Sequence, residues 1–156
     1  MSAPPLPAGF RLQEGPWERL APGARAVRQT VFVDEQAIAP ALEWDDRDAI
    51  ATHVLVTGAD GAPCATGRLY AEAAPRVARI GRLAVCRPWR GIGLGAAVLA
   101  HLVERARRDG HAEAVLHAQS HARGFYAGRG FAVEGAEFIE DGIAHLRMRK
   151  ALAGCR

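Results

Sequence analysis

Residues 90–95 read Arg-Gly-Ile-Gly-Leu-Gly and combine a cation with three alternating glycines. Glycine has no Cβ atom, so the backbone N–H groups of such a loop can approach a phosphate closely. The pattern predicts that an amphipathic helix follows over residues 93–109, with no Ser, Thr, Asp or Asn at its start to cap its first N–H groups. A bound anion would satisfy those groups, and the helix dipole would favour it. The spacing therefore predicts a phosphate-binding loop, and its plainest alternative is a simple turn.

Three phosphate ligands fit such a loop to different degrees. A nucleoside triphosphate site requires a lysine and a hydroxyl residue after the glycines, and this loop has neither. Gly91, Gly93 and Ala96 match a dinucleotide site, with Glu113 about 20 residues on. However, residues 86–90 separate the preceding predicted strand from the first glycine, which a dinucleotide site places directly after the strand. The pyrophosphate of coenzyme A is therefore favoured, and an NAD-dependent oxidoreductase stays a weaker alternative.

The remaining sequence predicts a mixed α/β fold, with antiparallel hairpins at both ends and one strand–helix–strand unit between them. Alternating residues and turn signals predict strands over residues 9–14 and 77–85, strands that begin at 52, 63 and 113, a short helix over 120–130 with Ser120 as its N-cap, and a two-residue turn at Asp141 and Gly142.

Two irregularities stand out in this pattern. The helical repeat over residues 17–35 contains Pro22 and Gly23, which are expected to break it into two pieces. The strand over residues 77–85 changes the parity of its apolar positions, which predicts a β-bulge near residues 81–82.

Two ordered motifs resemble one enzyme superfamily. Residues 90–95 resemble the R/Q-x-x-G-x-G/A signature of the GNAT superfamily of acyl-CoA-dependent N-acyltransferases. Residues 119–131 resemble its N-x-x-A-x-x-F-Y-x-x-x-G-F segment, with Gln119 where Asn is common. The flanks are similar to the narrower ElaA and YjcF type of acetyltransferase, through R-x-x-VFV-x-EQ at residues 28–36, EWD at 43–45 and EDGI-x-H at 140–145.

The resemblance covers roughly residues 20–150 and implies a fold and a cofactor. The implied fold is a mixed, mostly antiparallel sheet of about six to seven strands with about four flanking helices and a central β-α-β unit whose strands splay apart. The implied cofactor is acetyl-CoA, held between those strands. Its implied binding residues are Leu83, Ala84, Val85, Arg90, Gly91, Ile92, Gly93, Leu94, Gly95, Ala96, Gln119, Arg123 and Tyr126.

Acyl transfer to an amine requires a neutral amine, hydrogen-bond donors for the carbonyl oxygen and a proton for the leaving thiolate. Tyr126 matches the superfamily's acid, and the weaker alternative for it is an ordinary half-buried tyrosine on an amphipathic helix. The backbone N–H of Ala84 or Val85 is the expected donor to the carbonyl oxygen. Arg123 and Arg129 either meet the cofactor's phosphates or face solvent.

The base and the acceptor site leave more alternatives open. The candidate bases are Glu35, Asp45, His117, His121 and His145, of which Glu35 and His145 are assigned as catalytic with Tyr126. The assigned substrate-binding residues are Glu35, Glu43, Asp45, Arg82 and His145. The carboxylates would suit a cationic amine, and Arg82 either positions substrate or pairs with one of them. His145 alternates with Arg147 and Arg149, so a solvated strand face is the alternative for it.

The chain length limits the number of domains, and the cysteines indicate the cellular compartment. The 156 residues fit one domain over residues 1–156, with a flexible lead-in at 1–9 and a tail at 151–156. The three cysteines form no CxxC pair and no secretory signal is present, which favours the cytoplasm and predicts no metal site. No apolar run reaches the roughly 20 residues of a membrane span.

The charge and the aromatic content limit the classes of partner that the protein can bind. The net charge is +3, yet the basic residues are scattered and only 6% of residues are aromatic, which argues against nucleic-acid binding. We expect an N-acetyltransferase that moves the acetyl group of acetyl-CoA to a primary amine, on a small molecule or a protein, by direct attack in a ternary complex. A noncatalytic acyl-CoA-binding regulatory module is the alternative. Exposed strand edges are expected to allow a homodimer.

Overall fold

The computed structural model describes residues 5–152, and this part of the chain forms a seven-stranded sheet with four α-helices. The strands are β1 (Arg11–Pro16), β2 (Thr52–Thr57), β3 (Pro63–Ala71), β4 (Val77–Val85), β5 (Glu113–Gln119), β6 (Ala132–Glu140) and β7 (Ile143–Ala151). The helices are α1 (Trp17–Arg28), α2 (Pro40–Glu43), α3 (Leu94–Arg108) and α4 (Arg123–Ala127). A π-helical segment (Gln29–Glu35) extends α1, and 3-10 turns (Arg87–Trp89 and Ser120–Ala122) come before α3 and α4. Among these described helices, none has the length and apolar character needed to cross a membrane.

The sheet has the order β1-β2-β3-β4-β5-β7-β6, and β4 and β5 are its one parallel pair among the described strands. Helix α3 makes the crossover that a parallel pair requires. Only residues Val77–Arg79 of β4 pair with Glu113–Val115 of β5, and beyond them the two strands separate. The predicted mixed fold with a splayed central unit is confirmed.

Helix α3 packs its apolar stripe on the sheet as its sequence period predicts. Leu94, Val98 and Leu102 recur every four residues and are almost completely buried. A Cβ atom on Gly67 of β3 would lie 2.9 Å from both Val98 Cγ1 and Leu102 Cδ1. The absent side chain at residue 67 therefore lets α3 approach the sheet closely at Val98 and Leu102.

Helix α1 runs unbroken through Pro22, so the predicted break at Pro22 and Gly23 is wrong. Pro22 is exposed on the outer face, while Leu20 and Val27 bury the inner face against the sheet. Gly23 faces Leu55 so closely that a Cβ atom there would clash with the leucine side chain. Burial of the inner face outweighs the backbone hydrogen bond that proline cannot donate, because tertiary packing supplies most helical stability.

Two predicted boundaries also differ from the structure. Strand β1 begins at Arg11 and not at Gly9, because Gly9 has a φ of +89° and precedes the strand in a turn. Ser120 does not cap a helix: its hydroxyl donates to a Glu137 carboxylate oxygen at 2.7 Å, and α4 begins after Ala122 without a side-chain cap.

The ends of the described chain pack more closely than the predicted lead-in and tail imply. Leu6 lies against the main core, although residues 1–9 are predicted to be flexible; residues 1–4 lie outside the described part. Leu152 is buried, and its N–H donates to the carbonyl oxygen of Ala112 at 2.8 Å. The packed chain therefore reaches to Leu152, and residues 153–156 of the predicted tail are not described.

Arg28 anchors the end of α1 to the last residue of α2 and to the acidic segment after it. Its side chain is 1% exposed. Its Nε donates to Glu43 at 2.6 Å, and its two Nη atoms donate to Asp48 at 2.7 and 3.2 Å. A planar guanidinium can make such bidentate bonds, whereas a lysine ammonium is a single point charge.

Replacement of Arg28 by leucine should destabilise the protein by about 3 kcal/mol, because Glu43 and Asp48 would stay buried while each loses one of its two arginine partners. Arg25→Leu is the matched control on the same helix, since Arg25 is exposed and stacks on Trp17 and Trp44 at 5.0 Å. Its loss should be about 1 kcal/mol or less. Urea unfolding measures both, and equal losses would contradict the anchoring role of Arg28.

Candidate functional site: a cleft between the central strands

Two adjoining cavities lie where β4 and β5 separate. The larger, about 490 Å³, lies between the strand ends and is bordered by the π-helical segment, α4 and the turn between β6 and β7. The smaller, about 360 Å³, lies at the start of α3. Val85, Arg90, Gly95 and Phe125 line both cavities, so the two form one continuous cleft.

The predicted bulge in β4 is present and shapes one wall of this cleft. Opposite residues 66–68 of β3, β4 has one extra residue within 81–84. Arg82 has a φ of +52°, in the left-handed region that a non-glycine residue rarely adopts. Bulges bend their strand, and here the residues after the bend, Leu83–Val85, line the larger cavity.

Val85 turns its backbone polar groups toward the cleft. The N–H of Cys86 donates to Cys64 of β3 at 2.9 Å. Successive residues of an extended strand direct their N–H groups to opposite sides, so the Val85 N–H points away from β3. The Val85 carbonyl oxygen, on that same side, accepts from Arg90 Nε at 2.8 Å. Of the two predicted oxyanion donors, Ala84 and Val85, this geometry favours Val85.

Gly91 and Gly93 shape the smaller cavity as a cradle for an anion. Their φ angles are +82° and +96°, and a Cβ atom on either would meet no other atom within 4 Å. The glycines are therefore required by conformation and face open space. Gly93 directly precedes α3, whose start has no side-chain cap, so its first N–H groups are available to a ligand. This cradle fits the pyrophosphate of an acyl-CoA.

Arg90, which is predicted to add a fixed positive charge to the loop, is paired with a carboxylate within the fold. Its Nη atoms donate to both carboxylate oxygens of Glu35 at 2.9 and 2.8 Å. The hydrogen bond from Arg90 holds the pKa of Glu35 below its ordinary value, and Arg87 lies 3.6 Å from the same carboxylate. The Glu35 carboxylate is consequently ion-paired with arginine and holds Arg90 of the loop in position. This pairing disfavours its assignment as base or substrate ligand.

Most of the predicted site residues line the cleft, and three do not: Asp45, Ile92 and Arg123. Ile92 and Arg123 are exposed. Arg129, weighed with Arg123 as a phosphate ligand, lines the smaller cavity and stacks on Phe125 at 4.1 Å. The larger cavity holds Glu35, Glu43, Arg82, Leu83, Ala84, Gln119, Tyr126 and His145, the smaller holds Gly91, Gly93, Leu94 and Ala96, and Val85, Arg90 and Gly95 line both.

The predicted acidic patch for a cationic substrate is neutralised within the fold. Glu43 contacts Arg28 at 2.6 Å and Arg82 at 3.2 Å. Asp45 accepts two hydrogen bonds from Arg68, at 2.7 and 2.8 Å. Burial alone would raise the pKa of Asp45, but the hydrogen bonds and charge of Arg68, with the charge of Arg82, lower it to about 2. The assignment of Glu43 and Asp45 as substrate ligands is therefore corrected: each is paired with arginine, and together they hold Arg82 at the bulge.

His145 is buried beside the cleft, so the predicted alternative of a solvated face is wrong for it. It is 6% exposed and stacks on Phe138 at 5.9 Å. Its Nδ1 lies 2.7 Å from the carbonyl oxygen of Ile143. A carbonyl only accepts, so Nδ1 carries the proton, and the neutral ring has its lone pair on Nε2. His145 therefore presents a fixed tautomer with one free basic nitrogen.

Glu140 lines the larger cavity and is a site residue that the sequence analysis did not assign. One carboxylate oxygen lies 3.0 Å from His117 Nδ1, and the other lies 3.9 Å from His145 Nε2. The hydrogen bond from His117 keeps the pKa of Glu140 below its ordinary value. Period-2 alternation could have identified it, because Phe138 pairs with His145 and Glu140, two residues on, faces the same side.

Gln119, at the end of β5, is tied across the cleft to Gln36. Each side-chain amide donates to the oxygen of the other, at 3.1 and 2.7 Å. His121 Nε2 lies 2.8 Å from the Gln119 oxygen, which accepts only, so Nε2 carries the proton in this contact. His121 is thus engaged in holding Gln119 and exposed, which disfavours it as the base.

Tyr126 lies among aromatic rings at the boundary of α4 and the cleft. Its ring makes edge contacts with Phe125 at 5.1 Å and Phe131 at 6.1 Å. Burial raises the pKa of Tyr126 to about 12. The phenol is therefore protonated at neutral pH and available as a donor on the wall of the larger cavity.

Similarity to known proteins shows the family to which the chain belongs. The family model described as an acetyltransferase (GNAT) domain matches residues 25–152. The chain belongs to this family. YjcF of Bacillus subtilis, an uncharacterized N-acetyltransferase, is 32% identical over 126 residues that cover 80% of this chain and 87% of that protein.

Solved structures agree with the GNAT assignment. An acyl-CoA N-acyltransferase from Pseudomonas aeruginosa matches with a TM-score of 0.81 and 27% identity, covering 91% of this chain and 99% of that one. Escherichia coli ElaA matches with a TM-score of 0.81 at 23% identity, covering 90% and 99%, and shares the fold. The predicted resemblance to the YjcF type is confirmed by that relative, and ElaA confirms the predicted fold. Membership of the GNAT family supports an acyltransferase that uses acyl-CoA.

Gly93→Asp should weaken binding of coenzyme A by about 100-fold or more, because it adds a like charge where the cradle meets the pyrophosphate. Gly110→Asp is the matched control: Gly110 follows the other end of α3, has a φ of +89° and also faces open space. Both variants carry the same backbone strain and charge. Calorimetric titration with coenzyme A should separate them, and equal affinities would remove the cradle from the binding site.

Proposed function

We propose that this GNAT domain is an N-acetyltransferase that moves the acetyl group of acetyl-CoA to a primary amine by direct attack in a ternary complex. The observation that carries the proposal is the single cleft, with the glycine cradle at one end and a basic nitrogen and a phenol lining the other. Direct attack requires both substrates in one cavity at the same time, and about 490 Å³ is space for a thioester and a small amine.

The cradle at Gly91 and Gly93 and the start of α3 would hold the pyrophosphate of acetyl-CoA, with Arg129 as the neighbouring cation. The separated edges of β4 and β5 offer backbone N–H and C=O groups to the amides of the pantetheine arm. The bound thioester supplies the acetyl group and a thiol as leaving group.

His145 is the base of the proposed reaction. A primary amine with a pKa near that of lysine, about 10.4, arrives protonated at neutral pH. His145 Nε2 removes one proton, and the freed lone pair of the amine forms the new C–N bond. The nitrogen loses a second proton as the amide forms. His117 is a weaker candidate, because its Nε2 lone pair accepts from Arg147 at 3.3 Å.

Val85 and Tyr126 complete the reaction. The Val85 N–H donates to the carbonyl oxygen while that oxygen carries negative charge. Tyr126 donates its proton to the sulfur as the C–S bond breaks, and the second proton lost by the nitrogen passes through water to restore the phenol. In sum, an alkylammonium and acetyl-CoA give the N-acetylamine, coenzyme A with a free thiol, and one proton released to solvent.

Release of coenzyme A thiol from acetyl-CoA, measured with a panel of primary amines, tests the proposed activity. Thiol release that depends on the amine supports it. A noncatalytic acyl-CoA-binding module would instead bind acetyl-CoA in calorimetry and release no thiol with any amine. An NAD-dependent oxidoreductase would be stabilised against heat by NAD and not by acetyl-CoA. That result would contradict the proposal.

Tyr126→Phe should lower kcat by about 100-fold and leave the Kd for acetyl-CoA within about twofold, because it removes one hydroxyl and keeps the ring packing. The control is Tyr70→Phe, the other tyrosine of the chain, which lines neither cavity. Unchanged turnover of Tyr126→Phe would leave Tyr126 as a packing residue only.

His145→Ala should lower kcat/KM by about 100-fold at pH 7, and the deficit should shrink as pH rises toward 10. The sign follows from the amine: with a pKa of about 10.4 it becomes neutral in solution as pH rises and no longer needs the base. His111→Ala, outside both cavities, is the control. A deficit that is independent of pH would show that His145 positions the substrate and does not take its proton.

A further inference from the structure

Four carboxylates line the larger cavity: Glu35, Glu43, Glu140 and Asp141. Glu35 is paired with Arg90, and Glu43 with Arg28 and Arg82. Asp141 lies in the turn between β6 and β7. Glu140 differs from the first two, because the described residues place no arginine, lysine or other fixed cation within 4 Å of it.

The hydrogen bonds around His117 indicate that it does not neutralise Glu140. Arg147 Nη1 lies 3.3 Å from His117 Nε2, and arginine has only donors, so Nε2 accepts and carries no proton. His117 Nδ1–H therefore donates to one Glu140 oxygen at 3.0 Å from a neutral ring. Glu140 keeps its negative charge, held in orientation by an uncharged partner.

The second Glu140 oxygen is directed at the base of the proposed reaction. It lies 3.9 Å from His145 Nε2, beyond hydrogen-bond distance. One nitrogen placed between them would reach both atoms at ordinary hydrogen-bond lengths of about 3 Å. An ammonium has three N–H groups, so it can donate to the carboxylate and to the imidazole and still point its C–N bond into the cavity.

No other charged or titratable group near Glu140, among the described residues, occupies the position between its second carboxylate oxygen and His145 Nε2. Arg79 of β4 lines the cavity and is 3.5 Å from Glu72, on the neighbouring strand end. His117 of β5 and His145 of β7 are the two rings already described, and Asp141 adds negative charge at the turn. The local charge therefore favours a cation.

The cavity wall beside this place is apolar. Val31, Phe32 and Ile38 line the larger cavity from the π-helical segment and the residues after it. They form one buried cluster, and Ile143 at the start of β7 packs against that cluster. Ile143 also supplies the carbonyl that orients His145. An apolar stem attached to the ammonium would therefore bury its surface on this wall.

We propose that Glu140 is the residue that binds the acceptor's ammonium group, and that the acceptor is a primary alkylamine with an apolar stem. The inference rests on the proposed function for its assignment of His145 as base. Glu140 binds the amine as a cation and presents it to His145 Nε2, so Glu140 determines which acceptors enter the cleft. It takes no proton itself.

Calorimetric titration of n-butylamine into the protein saturated with coenzyme A tests this proposal without requiring turnover. Glu140→Gln should weaken n-butylamine binding about tenfold or more, since a charged hydrogen bond becomes a neutral one. Glu140→Asp, which keeps the charge on a shorter stem, should recover part of the affinity. n-Butanol, which has the same stem and no charge, should bind wild type and Glu140→Gln equally.

Glu137→Gln is the matched control, because Glu137 lies on the same strand, is exposed and contacts Ser120 outside the cavity. It should bind n-butylamine as the wild type does. Equal affinity of Glu140→Gln and wild type, or no binding of n-butylamine to wild type, would overturn the proposal. Loss of n-butylamine binding in Glu140→Gln, together with no thiol release in wild type, would support the ammonium site and reject the transferase reaction.

Discussion

The separation of β4 from β5 after three paired residues is the constraint on which the rest of the site depends. Parallel strands joined by a helix ordinarily continue their hydrogen bonds to the strand ends, because unpaired backbone groups are costly. Here the bulge at Arg82 bends β4, and α3 starts beyond the gap. The result is a cleft with unpaired backbone groups along both walls and an uncapped helix start at one end, which suits a long ligand with amides and a pyrophosphate.

The bend is held by a chain of arginine–carboxylate contacts that begins in the core. Arg28 fixes Glu43, and Glu43 contacts Arg82 at the bulge. The backbone carbonyl of Glu43 also accepts from Arg82 at 3.2 Å. Left-handed φ at a non-glycine residue costs about 1–2 kcal/mol, and these contacts compensate for it. The cleft wall is thus tied to α1 through side chains that are distant in sequence.

Arginine pairing also decides which charges act in the cleft. Only one of the twenty basic residues is lysine, and the arginines pair with Glu35, Glu43, Asp45 and Asp48 in bidentate or multiple contacts. A carboxylate so paired is unavailable to substrate. Glu140 is oriented by a neutral histidine, and its charge is therefore left to act on a ligand.

Local patterns predicted the elements well and the charged contacts poorly. The period of α3, the hairpin at Asp141 and the bulge in β4 depend on neighbours within a few residues, and all three are present. The break expected at Pro22 is absent, because burial of α1 on the sheet outweighs local helix propensity. No local pattern predicts the pairing of Arg90 with Glu35, because the two residues lie 55 positions apart in the chain.

The sequence by itself predicted the glycine loop and the strand–helix–strand unit around it, because glycine spacing and periodicity act through the local backbone. Its two ordered motifs also resembled those of the GNAT family, to which the chain belongs. Tertiary structure alone decided which carboxylates are neutralised, which histidine nitrogen is free and how Gln119 is held, since its partner Gln36 lies 83 residues away. Those properties depend on side chains that meet only after the sheet has assembled. The glycine loop is therefore predictable from local sequence, whereas the proposed acceptor site depends on contacts between distant strands.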